Sequence, residues 1–190
     1  SESLAMARFA VVEQPESSYA RPPQFHELRR VASRPMAQVK QTTRLNNQLH
    51  ENLSSAFPEF AVIVADLKKE WVLTLLETYP TAACLAAGKL DAMKTIRFID
   101  RERVTKIHAA AKHSVASLSG TVSGELVRTL VKELRHSIDQ ENVWKTLLIQ
   151  VFEAIPDGPN RQIATIGGIG QMTAAAIVAT AVEIRRFETT

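Results

Sequence analysis

Two long stretches of the chain repeat apolar residues at three- and four-residue steps. From about Gln24 to Ala56, Leu28, Val31, Leu45 and Leu49 keep that spacing, with Val39 and Leu53 one step aside. From about Thr121 to Ala154 the series is Val127, Leu130, Leu134, Trp144, Leu148, Val151 and, just past it, Ile155. Such spacing predicts amphipathic helices whose seams pack like a coiled coil. Polar residues interrupt both seams: Gln38, Thr42 and Asn52 with Pro35 in the first, Ser137 and Glu141 in the second. Proline in a helix interior removes a hydrogen bond and crowds the preceding turn, so a kink or break is expected near Arg34. The second helix has a wide seam, with Val127, Leu134 and Leu148 on one edge and Val131, Ile138 and Phe152 on the other. An antiparallel pair is expected, with spare seam left for a dimer.

Between the long helices the pattern breaks into short pieces without strand alternation. Trp71, Val72, Leu75 and Leu76 share a helical face, Thr81 suits an N-cap, Gly88 a C-terminal stop, and Asp91 the cap of the next turn. Val104, Ile107, Ala111 and Val115 keep helical spacing as far as Leu118. Residues 1–10 read as a short helix, and the Pro- and Ser-bearing stretch after it as a linker. The expected fold is all-α, with long antiparallel coiled-coil helices, a small-helix cluster between them, and a helix-hairpin-helix at the C-terminal end. The expected divisions are 1–23, 24–156 and 157–190, the last boundary marked by Pro156-Asp157-Gly158-Pro159.

That C-terminal element carries the most specific chemistry. In Ile163–Ile177, two glycines flank an apolar residue, Gly168-Ile169-Gly170, just ahead of strong helix formers. Glycine permits a tight turn, Ile169 pins it, and the next helix opens with amides that have no intrahelical acceptor. With the positive end of the helix dipole, those amides suit a phosphate oxygen. Gly168, Ile169, Gly170, Gln171 and Thr173 are therefore candidate DNA contacts, as are Arg185 and Arg186 further on. An ordinary helix connection without a ligand fits the same residues.

Charge adds little by itself. The chain has 23 Lys and Arg against 20 Asp and Glu, a net +3. Locally, Arg29, Arg30, Arg34, Lys40 and Arg44 face only Glu27 between residues 24 and 50. That is either a solvated helix face or a phosphate-contacting one, with Arg29, Arg30 and Arg34 the candidates. Cys84 has no cysteine partner, which excludes an internal disulfide and fits a reducing cytoplasm. The five histidines show no metal-binding spacing, no carboxylate pair has the spacing of a two-metal site, and Gly167–Gly170 lacks the Gly-Lys-Thr ending of a phosphate-binding loop. No catalytic residue, metal site or cofactor is expected within the chain, which reads as a piece of a longer protein.

The segment Thr165-Ile166-Gly167-Gly168-Ile169-Gly170-Gln171-Met172-Thr173-Ala174-Ala175-Ala176, followed by Arg186-Phe187, resembles the start of the C-terminal domain in a family of bacterial insertion-sequence transposases. This family has an Asp-Glu-Asp-Asp, RuvC-like N-terminal domain and includes the pilin-gene invertases. Leu4-Ala5-Met6-Ala7-Arg8, Leu28-Arg29-Arg30, Arg44 through His50, and Tyr79-Pro80-Thr81 resemble the preceding parts of such proteins. The resemblance implies a DNA recombinase whose N-terminal acids hold a divalent metal such as Mg²⁺ and whose C-terminal domain supplies a serine. The acids would precede this chain, apart from Glu2 near the last of them, and the serine would follow it. Gly167 stands where the family commonly has Pro. Implied partners are double-stranded DNA, a guide RNA encoded by the element in some members, and further copies of the chain in a homodimer or larger assembly. A helical dimerisation module without DNA contact, and a helix-hairpin-helix repair enzyme or accessory domain, are the other readings.

Overall fold

A computed structural model of the 190-residue chain describes residues 23–118, 120–156 and 158–181. The segment expected to form a short helix at residues 1–10, and most of the linker, lie outside the described residues. The described residues are all-helical: α1 (Pro23–Ala56), α2 (Pro58–Ile63), α3 (Glu70–Thr78), α4 (Ala82–Ala87), α5 (Leu90–Met93), α6 (Arg101–Ala111), α7 (Thr121–Glu153), α8 (Pro159–Gln162), a 3-10 turn (Ile163–Thr165) and α9 (Gln171–Ala181). They fall into two compact units, Val31–Ile149 and the flanking Ser1–Arg30 with Gln150–Thr190.

In the Val31–Ile149 unit, α1 and α7 lie side by side. Arg34 places its guanidinium 5.8 Å from the centre of the Trp144 ring, and Gln38 Nε2 donates to Ser137 Oγ at 2.8 Å. Thr42 and Ser137 share a hydrogen bond of 3.0 Å. Further along, the amides of Ser117 and Leu118, just before α7, donate to the Ser55 carbonyl. Residue numbers rise on α1 as they fall on α7, so the two helices run in opposite directions.

The polar interruptions of the two seams therefore meet. A buried hydroxyl without a partner is costly, and here Thr42 and Ser137, both buried, satisfy each other with Gln38. Glu141, a turn further along α7, is bonded to Lys145. Burial raises the Glu141 carboxyl, but the Lys145 ammonium, the Thr42 hydroxyl and the charge of Lys68 outweigh it and hold it below the usual range. Of the kink or break expected near Arg34, the break is absent: α1 is continuous through Pro35. Pro35 is buried, so its packing, with the Gln38–Ser137 bonds one turn on, offsets the lost backbone bond.

The wide seam is not spare. Val127, Val131 and Leu134 are fully buried within the chain, in one core with Leu45, Leu49, Leu53 and the small helices. Leu148 and Phe152 are buried as well. Of the seam residues that motivated a dimer, Ile138 alone is partly buried, packed against this core. Exposed apolar side chains occur instead at Val115, Leu118, Val122 and Leu126.

Among the small helices, Thr81 caps α4 as expected, accepting from the Cys84 amide at 3.3 Å. Asp91 does not act as a cap: Lys89 occupies that position, and Asp91 is exposed in the first turn of α5. Asp100 does the capping instead, at the start of α6, accepting from the Arg103 amide at 3.0 Å. α6 stops at Ala111, not Leu118. Just beyond it, Glu59 of α2 accepts bonds from Ser114 Oγ at 2.6 Å and the Val115 amide at 3.0 Å, drawing the chain out of helical geometry and leaving Val115 81% exposed. Arg135 of α7 ties down α3 through Glu70 and Glu77.

In the flanking unit, Leu28, Phe152, Ile155 and Ile163 are buried. On α9, Ala174, Ala175, Val178 and Ala179 are buried; their spacing marks one face, and small residues there let a neighbouring backbone approach closely.

Candidate functional site

The Gly167–Gly170 segment expected to form the hairpin lies in the flanking unit. Its first arm is shorter than the sequence pattern implies: the single turn of α8 runs into one 3-10 turn, because Pro156, Gly158 and Pro159 leave little chain for a longer helix. The turn itself forms as expected. The Ile169 amide donates to the Ile166 carbonyl at 3.0 Å, closing a four-residue turn, and Gly168 at its third position has φ +87°. That is the left-handed angle which type II turns assign to glycine. Ile169 is half-buried and anchors the turn.

Gly167, Gly168 and Gly170 share a second property. A Cβ added to any of them would meet nothing within 4 Å. Only Gly168 needs glycine for its backbone angle, so neither internal packing nor a left-handed angle accounts for glycine at 167 and 170. α9 then begins. The Ala174 amide bonds back to the Gly170 carbonyl at 2.9 Å, so the amides of Gln171, Met172 and Thr173 precede the first intrahelical bond. Gln171 and Thr173 are exposed.

One feature opposes anion binding there. Gln171 Nε2 donates to Glu153 Oε1 at 3.2 Å, which brings a carboxylate from the end of α7 to the start of α9. A carboxylate at a helix N-terminus interacts favourably with the dipole and competes with any phosphate. Sequence reading missed Glu153 because it lies 18 residues before Gln171. The concavity beside it, about 430 Å³, is lined by Glu153, Gly158, Arg161, Gln162, Thr165 and Gln171 among others.

Arg29 and Arg30 are exposed and belong to the hairpin's unit, whereas Arg34 belongs to the other unit and packs on Trp144. Arg185 and Arg186 lie outside the described residues.

Among the described residues no group of three or more His, Cys, Asp or Glu side chains is placed to hold a metal ion. His108 Nε2 lies 3.1 Å from the Gly88 carbonyl, a packing contact. The Ser114–Glu59 pair, which no local spacing reveals, is not an activated nucleophile. Burial raises the Glu59 carboxyl, but bonds from Ser114 and the Val115 amide bring it below the usual range, which makes it a weak base. No helix of the described residues is long and apolar enough to cross a membrane. No family model matches the chain, and no curated protein matches it.

Proposed function

We propose that the chain is the middle segment of a DNA transposase or site-specific recombinase, a scaffold with a phosphate-contacting hairpin and no complete active site of its own. In this reading the antiparallel α1–α7 pair serves as a coiled-coil scaffold for a homodimer or larger homo-oligomer. The hairpin amides, with Arg29 and Arg30, hold duplex backbone; Mg²⁺ and catalytic groups belong to the parent protein. The observation that carries the reading is the turn Gly167–Gly170, where space around the glycines is open and the helix that follows begins with exposed residues. A nucleic-acid backbone is a group that such space would admit.

The second reading, a structural helical module without DNA contact, is favoured by one observation. Glu153 already complements the start of α9. The two readings diverge for Glu153→Gln. If phosphate binds at the hairpin, removing that charge tightens duplex binding at low salt by roughly two- to fivefold, the scale of one charge at a helix end. Fluorescence anisotropy with a labelled duplex measures this. An unchanged affinity supports the structural module, with Glu153 serving only as a partner of the Gln171 side chain.

A further inference from the structure

A second turn repeats the geometry of the hairpin turn with a different residue at its tip. The Ile99 amide donates to the Ile96 carbonyl at 3.2 Å, and the third residue, Phe98, has φ +60°. Gly168 holds the equivalent place in Ile166–Ile169. A bulky side chain in the left-handed region is an outlier, and glycine or asparagine would form this turn with less strain. Turn formation therefore does not account for the phenylalanine. Packing does not either: Phe98 is 75% exposed, and it is the one aromatic among the exposed large hydrophobic side chains of the described residues. Ile96 and Ile99 pack against the core on either side and hold the ring outward.

The surroundings are cationic. Arg97 places its guanidinium 4.5 Å from the centre of the Phe98 ring. Residues 89–112 hold seven Lys and Arg against Asp91, Asp100 and Glu102, an excess of four where the whole chain has three. Asp100 pairs with Arg103 and Glu102 with Lys106, while Arg97 and Arg101 have no acidic partner among the described residues.

We infer that the Arg97–Phe98 tip is a stacking platform for an unpaired base of single-stranded DNA, with Arg97 and Arg101 meeting the flanking phosphates. Arg97 lies over one face of the ring, which leaves the other face for a base, and such a platform suits any base because each presents a π-face. A paired base in a duplex keeps its faces covered, so duplex gains nothing from the ring. A ribose 2′-hydroxyl adds nothing to stacking on the ring, so RNA gains nothing over DNA there. The inference does not rest on the hairpin, which belongs to the other compact unit.

The test uses the full chain and a labelled oligothymidylate of roughly fifteen nucleotides. Phe98→Ala lowers affinity by roughly fivefold or more, the range for one stacked base. Phe98→Trp retains affinity, and the emission it adds is quenched on saturation. Phe98→Leu behaves like the alanine variant although it is apolar. Phe98→Asn loses binding while its melting temperature stays level or rises, which separates the role from a structural one. Phe98→Ala leaves duplex affinity unchanged, because a paired base keeps its faces covered, so failure of the hairpin and failure of the platform can be told apart. Parent-like binding by Phe98→Ala or Phe98→Leu, unaltered emission in Phe98→Trp, a parent chain that ignores single strands, or oligouridylate bound more tightly than oligothymidylate each overturns the inference.

Discussion

Leu134→Asp is expected to cost the chain on the order of 3 kcal/mol or more, a drop in melting temperature of roughly 6 to 12 °C for a protein of this size. Leu134 is fully buried within the core that α7 shares with α1 and the small helices. A carboxylate there loses its water without gaining a partner, because the adjacent Arg135 is already held by Glu70 and Glu77. Natural domains are stable by only about 5–15 kcal/mol, so this is a large part of the total. Leu126→Asp is the control. It is the same change two turns earlier on the same helix, where the side chain is 47% exposed, and its cost should stay within about 0.5 kcal/mol. Urea denaturation followed by circular dichroism separates the two. Equal losses would mean that the buried face of α7 has been assigned to the wrong register.

Gly88→Ala is the second large effect, and its origin is spatial. At φ −72° any residue is comfortable, so replacing glycine should by itself stabilise slightly through the unfolded chain. The new Cβ, however, would lie 2.5 Å from Met93 Cε and 2.7 Å from Tyr79 Cε1. Met93 is fully buried and its methyl has no free space to enter, while the partly buried Tyr79 ring would have to shift off the core. A net loss of about 1–3 kcal/mol is expected. In a Met93→Ala background the loss should shrink without vanishing, since Tyr79 still obstructs; a double-mutant cycle reads this coupling. A Gly88→Ala chain as stable as the parent would show that the α4–α5 corner is looser than these distances imply.

Gly88 also shows what sequence reading reaches and what it misses. The residue was legible as a stop signal for α4, because helix ends are local events. The reason it must be glycine was not, since that depends on Met93 and Tyr79 arriving from either side. The same division runs through the fold. Leu45, Leu49, Leu53, Val127 and Leu134 announce their helices through local spacing, and the Thr81 cap lies three residues from its donor. The Thr42–Ser137 bond spans 95 residues and the Glu59–Ser114 bond 55, so Thr42 and Ser137 read as flaws in a seam and Ser114 as one more residue of a helix running to Leu118. Pro35 shows the reverse: a local signal for a break, overridden by burial and by a polar pair from the facing helix.

The candidate site divides similarly. The Gly168 turn was legible because its backbone angle is set within four residues. The short first arm was not, because helix length in Pro159–Thr165 depends on how the Pro- and Gly-rich segment before it folds. Glu153 was invisible for the same reason as Glu59. Phe98 has no sequence signature at all, since Arg-Phe-Ile-Asp gives no sign that phenylalanine occupies a position suited to glycine.

The central claim is that the hairpin holds duplex phosphate, and its most direct test is the salt dependence of binding for the parent chain and Gly170→Val. A Cβ at Gly170 meets nothing within 4 Å among the described residues, so the substitution should block an approaching backbone and leave their helices intact. Two or three phosphate contacts predict weak binding with a log–log salt slope of roughly −2 to −3 for the parent. Gly170→Val should bind more weakly, with a shallower slope and unchanged helicity. A variant that matches the parent in both affinity and slope would contradict the claim and leave the hairpin as a turn between helices.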